Sequence, residues 1–190
     1  MRTAFKEWAV IIDALGRGEQ ILILRKGGLN EGRSGFAVEH DRFVLFPTLF
    51  HQQRESVLPA AQARFDSFAA TLPPADRVRI EYVCDVVAFR QLDSLDAVRR
   101  LHGQHIWREE VIAERFDWSQ QKGIHALAVR VHRLAQPVEL PMVASYGGCK
   151  SWIELEREIL ADGAVPVLPD DVFNRKLAEF TGALEQVNAP

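Results

Sequence analysis

Apolar positions recur with two periods along this chain, and the switch between them marks its elements. Phe5, Trp8, Ala9, Ile12 and Leu15 are spaced by three and four, which predicts one face of a helix. Thr3 can cap its start, and Gly16 or Gly18 can close it in a left-handed conformation. The β-branched run Val10, Ile11 and Ile12 allows a competing strand over 9–15, and the helix is the favoured reading. Residues 21–24 form a continuous apolar run, as in a strand buried on both faces. A loop over 27–35 follows, with four glycines and Asn30, and then a strand over 43–46 that stops at Pro47. Sequential strands usually lie side by side, so 21–24 and 43–46 are expected to be neighbours.

Leu58, Ala61, Phe65, Phe68 and Leu72 form a helical seam, with Ser56 as cap and Pro59 in the first turn. Pro73-Pro74 ends that helix and marks a sub-domain boundary near 73–76 within a single domain, 1–190. Residues 78–88 alternate: Val78, Ile80, Tyr82, Cys84 and Val86 share one face, and Arg79, Glu81 and Asp85 the other. Ser94 opens a helix through Leu101, and a further helical piece covers 107–116. Residues 126–134 alternate again, with Leu127, Val129 and Val131 opposed to Arg130 and His132. Pro137 and Pro141 frame a short extended piece. Residues 146–152 read as a turn that opens a helix, and a last helix starts near Asp170, aligned by Phe173, Leu177, Phe180, Leu184 and Val187. Strands and helices mix without regular βαβ alternation. The fold class is therefore α+β, a small mixed and partly closed β-sheet flanked by helices.

At 190 residues, 47% hydrophobic and 26% charged, the composition is that of a globular protein able to bury a sizeable core. The net charge of −3 argues against wholesale attraction to nucleic acid or membrane and leaves room for a local basic patch. No apolar run approaches 18 residues, so no membrane span is expected. No signal peptide precedes the two cysteines, which makes a reducing cytoplasm the default.

Candidate chemistry concentrates in 20–52. Arg25, Lys26, Gly27 and Gly28 stand where a strand runs into a glycine turn, a setting in which backbone N–H groups and a cation suit phosphate or carboxylate. The same residues also read as a solvated turn, since both the P-loop spacing and a GxGxxG are missing. Glu31, Glu39, His40 and His51 could assemble an acid–base cluster, but their spacings match no metal motif, so no metal site is assigned. Arg130, His132 and Arg133 put positive charge on one strand face. Cys149 and Lys150 follow two glycines at the expected helix start, where a thiol is activated. The Trp residues at 8, 107, 118 and 152 lie near helical segments, where core packing competes with stacking on a base. No Asp or Glu is followed two positions later by Lys, which counts against the common metal-dependent nuclease core.

Four separated motifs carry a resemblance: FKEWAVIIDAL at 5–15, ILILRKGGLNEG at 21–32, FVLFPTLFHQ at 43–52 and YGGCKSW at 146–152. Together they resemble an uncharacterised bacterial family, domain of unknown function 1802. The corresponding residues are Glu7, Trp8, Arg25, Lys26, Gly27, Gly28, Glu31, Pro47, Thr48, His51, Tyr146, Cys149, Lys150, Ser151 and Trp152. The resemblance brings no activity with it. Some members of that family are joined to restriction-endonuclease-like domains, which implies a DNA-restriction context. The stretch IHALAVRVHRLAQPVELP at 124–141 resembles a strand-then-proline feature of PUA-like barrels, which bind RNA or modified DNA bases.

The sequence thus points first to a binding module for nucleic acid or another phosphate-bearing ligand. Its expected ligand-binding residues are Arg25, Lys26, Gly27, Gly28, Glu31, His40, His51, Arg130, His132 and Lys150. The alternatives are a small hydrolase or transferase using Glu31, Lys26, His40 and His51, and a partner-binding protein without chemistry. No cofactor follows from any motif.

Overall fold

The computed structural model describes residues 1–26, 38–49, 53–118 and 123–185. The chain begins with strand β1 (Thr3–Trp8), which leads directly into helix α1 (Ala9–Gly16). Strands β2 (Leu22–Arg25) and β3 (Arg42–Thr48) follow, then helix α2 (Pro59–Ala69) and the long strand β4 (Arg77–Leu92). Two short helices, α3 (Leu95–Arg99) and α4 (Glu109–Asp117), precede the equally long β5 (Ile124–Pro141). The chain closes with β6 (Trp152–Glu154), β7 (Val165–Pro166) and α5 (Asp170–Glu185). The α+β class and the flanked, mixed sheet are as the sequence predicts.

The described strands form one sheet in the order β2-β5-β4-β3-β1-β6, with β7 also on β5. The β1–β3 pair is parallel, and the other pairs are antiparallel. The sheet is curled, and its far ends meet through side chains: Arg25 of β2 reaches Ser151, just before β6, and Glu7 of β1.

Alternation along the strands splits the core in two. On β1 and β3, Phe5, Phe43 and Leu45 join the larger cluster, while Ala4, Val44 and Phe46 join the smaller one on the other face. The larger cluster takes in α1 and the inner faces of α3, α4 and α5. Helix α1 is buried all round, from Ala9 through Ile12 and again at Ala14 and Leu15.

Several expectations fail for identifiable reasons. The helix over the first fifteen residues begins only at Ala9, because Phe5 and its neighbours are taken up by pairing with β3 and β6. The favoured helical reading of the β-branched run Val10–Ile12 does hold, since burial outweighs its modest propensity cost. Strands β2 and β3 are not neighbours: β5 and β4 lie between them. Pro47 does not stop β3; it stands opposite Glu7 in the pairing with β1. Ser56 is not the cap of α2, whose first residue is preceded by Leu58. The expected single face of β4 is broken by a register shift between Ile80 and Tyr82. Val78 and Ile80 consequently pack in the smaller cluster, and Tyr82 and Cys84 in the larger. The turn after Tyr146 opens strand β6, not a helix, so the helix-terminus argument for a reactive Cys149 loses its basis. Ser94, by contrast, caps α3 as expected, accepting from the Ala97 N–H at 3.2 Å.

Candidate anion-binding site

Strand β2 ends at Arg25, and Lys26 just beyond it goes to different partners. The Arg25 Nε donates to Ser151 Oγ at 3.0 Å. Its Nη1 lies 3.9 Å from Glu7 Oε2, and its guanidinium sits over the Phe5 ring at 5.3 Å. The Lys26 Nζ donates to the Phe116 carbonyl in the last turn of α4 at 2.9 Å and to the Gly123 carbonyl just before β5 at 3.0 Å. Burial lowers its pKa, with Asp117 acting in the opposite sense.

Glu7 is the centre of the cluster and is 2% exposed. Its Oε1 accepts the Trp8 N–H at 2.6 Å, and the Thr48 hydroxyl donates to its carbonyl at 3.0 Å. Burial raises the Glu7 carboxyl above the usual carboxylate range, and Arg25, the Trp8 N–H and Arg115 oppose that shift. Arg115 of α4 completes the group. Its guanidinium packs on two indoles that meet edge-on at 4.8 Å, lying 3.8 Å from the Trp107 ring centre and 4.7 Å from that of Trp8. Burial brings its pKa down to about 10; Glu7 raises it and Arg25 lowers it further. It therefore remains a cation at neutral pH. The Trp107 Nε1–H is buried and has no hydrogen-bond partner among the described residues.

Glu7 thus pairs with Arg25 and acts on Arg115 only at longer range, so the two guanidinium groups outnumber the buried carboxylate. Such an arrangement carries an unmatched positive charge in a setting where water screens it poorly. Arginine donors in a fixed fork, bounded by aromatic faces, are suited to a phosphate or carboxylate oxygen. Gln53, fully buried beside this group, serves the backbone: its Oε1 accepts the Val10 N–H at 3.4 Å, and its Nε2 donates to the Thr48 carbonyl at 2.5 Å.

The structure places the residues singled out in the sequence as follows. His40 is exposed and meets Trp152 edge-on at 5.2 Å. Trp152 in turn packs on Phe5 and Phe43, so His40 stands at the outer end of the aromatic stack that also carries Arg25. Lys150 is exposed next to Ser151. Gly27, Gly28, Glu31 and His51 lie outside the described residues. Arg130 and His132 belong to another region. Arg25 pairs with His125, and Arg130 is five residues further along β5, about 17 Å at strand spacing. Arg130 donates to Asp170 Oδ1 at 2.5 Å and covers the Phe173 ring. His132 faces Asp85 at 3.5 Å, and burial lowers its pKa. Both are engaged with carboxylates of this chain, and neither is brought to Arg25.

Sequence reasoning passed over Arg115 and gave Trp8 and Trp107 mainly to the core. A signal for Arg115 existed. It falls three residues after Ile112, one of the residues that α4 buries, on a helix whose other charges, Glu109, Glu110, Glu114 and Asp117, are exposed. Glu7 and Ser151 entered the reading only as motif residues of the family resemblance. Among the described residues no group of three His, Cys, Asp or Glu is placed to hold a metal ion. No helix among them is long and apolar enough to cross a membrane.

No curated protein matches the chain. Among solved structures it is similar to ASCH from Zymomonas mobilis, at 14% identity and a TM-score of 0.41, over 93% of this chain and 92% of that one. It is likewise similar to the S128A mutant of ZmASCH from Zymomonas mobilis, at 14% identity and a TM-score of 0.42, over 93% of each chain. The model of the family described as Domain of unknown function (DUF1802) matches residues 4–179, so the chain belongs to that family.

Proposed function

We propose that this protein is a binding module for a phosphate-bearing ligand, that nucleic acid is the ligand class, and that Arg25 and Arg115 receive the phosphate. The observation that carries the reading is that two arginines lie in one region with a single buried carboxylate: Arg25 is 3.9 Å from Glu7, and Arg115, packed on the Trp8 and Trp107 rings, has no ion-pair partner among the described residues. An anion would neutralise the excess charge and take the free donors of both arginines. Trp118, half exposed just past the end of α4, offers a face on which a base can stack. A chain of net charge −3 neutralises few phosphates, so binding should be weak and its salt dependence shallow.

The enzymatic alternative draws no support from Lys26, which is spent on two carbonyls. A DNA-restriction context, and a PUA-like reading of β5, would each name the kind of nucleic acid. Anisotropy titrations with labelled single- and double-stranded RNA and DNA at low salt, on wild type and Arg115→Ala, test all of this together. Saturable binding that weakens in the variant is the expected result. Absence of binding at about 100 μM protein, the upper limit for non-specific sites, removes the reading.

A further inference from the structure

A second region of the molecule has the features of a small-molecule site. A cleft of about 360 Å3 opens between α1, the turn after α2 and strands β3, β4 and β5. That volume falls in the range of ligand pockets. Its floor is apolar, with Ile12, Leu45, Phe68 and Leu72. Tyr82 and Arg133 line its wall.

Tyr82 is 8% exposed, yet its hydroxyl makes no hydrogen bond to a described residue. Its oxygen is not sealed off from solvent, so it is open to a ligand that enters the cleft. The ring tip is seated against Gly16, where even a Cβ would come within 2.3 Å of the hydroxyl oxygen. The hydroxyl is thus held in place by a residue that has no side chain. Burial raises the Tyr82 pKa, which keeps the group a donor at neutral pH.

Arg133 lies over the same ring at 5.1 Å and donates one N–H to the Gly16 carbonyl at 3.2 Å. The other two arginines of the cleft are matched by carboxylates, Arg17 by Asp13 at 3.0 Å and Arg79 by Glu139 at 3.0 Å. Arg133 has no such partner among the described residues. The Arg133 donors and the Tyr82 hydroxyl suit the two oxygens of a single carboxylate. Glu81, also on the cleft wall and without an ion pair among the described residues, offsets the exposed Arg133 charge and disfavours a ligand of higher charge.

We propose that this cleft binds a small organic monocarboxylate with an apolar body, its oxygens on Tyr82 Oη and Arg133 and its body on the floor. The site is separate in residues and in ligand class from the Arg25–Arg115 cluster. The probes are phenylacetate, its uncharged amide phenylacetamide, and inorganic phosphate, titrated into the 15N-labelled full chain and followed by two-dimensional NMR. Phenylacetate is expected to shift cleft resonances saturably at millimolar concentration, and the amide and phosphate to leave them in place. Arg133→Ala should weaken it about tenfold, the usual scale for a lost charged hydrogen bond. Tyr82→Phe removes one oxygen and no packing, so its fold is secure; a severalfold loss is expected there. The proposal is overturned if the amide or phosphate binds as well as phenylacetate. It is also overturned if Tyr82→Phe binds as tightly as wild type, or if nothing saturates at concentrations on the order of 10 mM, ample for a ligand of this size.

Discussion

Arg25 Nε and Ser151 Oγ are 3.0 Å apart across 126 positions of sequence, and this bond joins the two far ends of the curled sheet. The same guanidinium is the nearest cation to buried Glu7. Ser151→Ala should cost about 1 kcal/mol, the value of one hydrogen bond. Arg25→Ala also leaves Glu7 without that cation and should cost up to about 3 kcal/mol, the low end for a broken buried pair because Arg25 still reaches solvent. Urea unfolding of both variants makes the comparison. Equal costs would show that Arg25 does not hold Glu7.

Lys26→Ala is expected to be a stability variant. Two carbonyls, that of Phe116 in the last turn of α4 and that of Gly123 just before β5, lose their ammonium donor. The expected loss is about 1–2 kcal/mol, from one to two hydrogen bonds at a helix terminus. A thermal melt indistinguishable from wild type would return Lys26 to the solvent or to a ligand.

The binding reading turns on the planarity of Arg115. Arg115→Lys keeps the charge and loses the stacking on Trp107 and Trp8. Oligonucleotide affinity should fall at least about tenfold in this variant, as removal of a fixed, forked donor does. Retention of wild-type affinity would mean that charge alone matters at this position.

Gly16→Ala puts a methyl group 2.3 Å from the Tyr82 ring tip and hydroxyl. Overpacking of this kind costs about 1–3 kcal/mol. The double variant Gly16→Ala with Tyr82→Leu should lose less than the two single losses added, by at least about 0.5 kcal/mol. Strict additivity would place the clash elsewhere.

Buried His105 supplies a pH dependence of definite sign. Burial, with His102 nearby, lowers its pKa from the ordinary 6.5 to about 4. Above 6.5 the group is neutral in both states and contributes no slope. Below 6.5 the unfolded chain takes the proton and the native one does not, so stability falls as pH drops from 6.5 to about 4. The loss amounts to roughly 3 kcal/mol over that window. His105→Gln should abolish this component, which unfolding free energies measured at several pH values would reveal. Parallel profiles for the two proteins would refute it.

The elements set by local spacing were legible in advance. The helix from Asp170, the Ser94 cap, the apolar strand before Arg25 and the alternation of β5 all follow from contacts among residues a few positions apart. The first helix was misplaced by one strand, since Phe5, Trp8 and Ile12 satisfy a helical spacing that only pairing with β3 and β6 overrides.

The chain by itself determined the α+β class and the family membership, because each is written in periodicity or in motifs that stay together in sequence. Only the tertiary structure decided which groups Arg25 meets. Glu7, Ser151 and Arg115 come from three other parts of the chain, and curling of the sheet brings them together. It also gave Arg25 and Lys26, neighbours in sequence, different partners: Arg25 meets Ser151 and Glu7, and Lys26 the carbonyls of Phe116 and Gly123. Nearest-neighbour chemistry specifies elements, whereas a buried charge cluster is specified by long-range pairing, whose energy no local window contains.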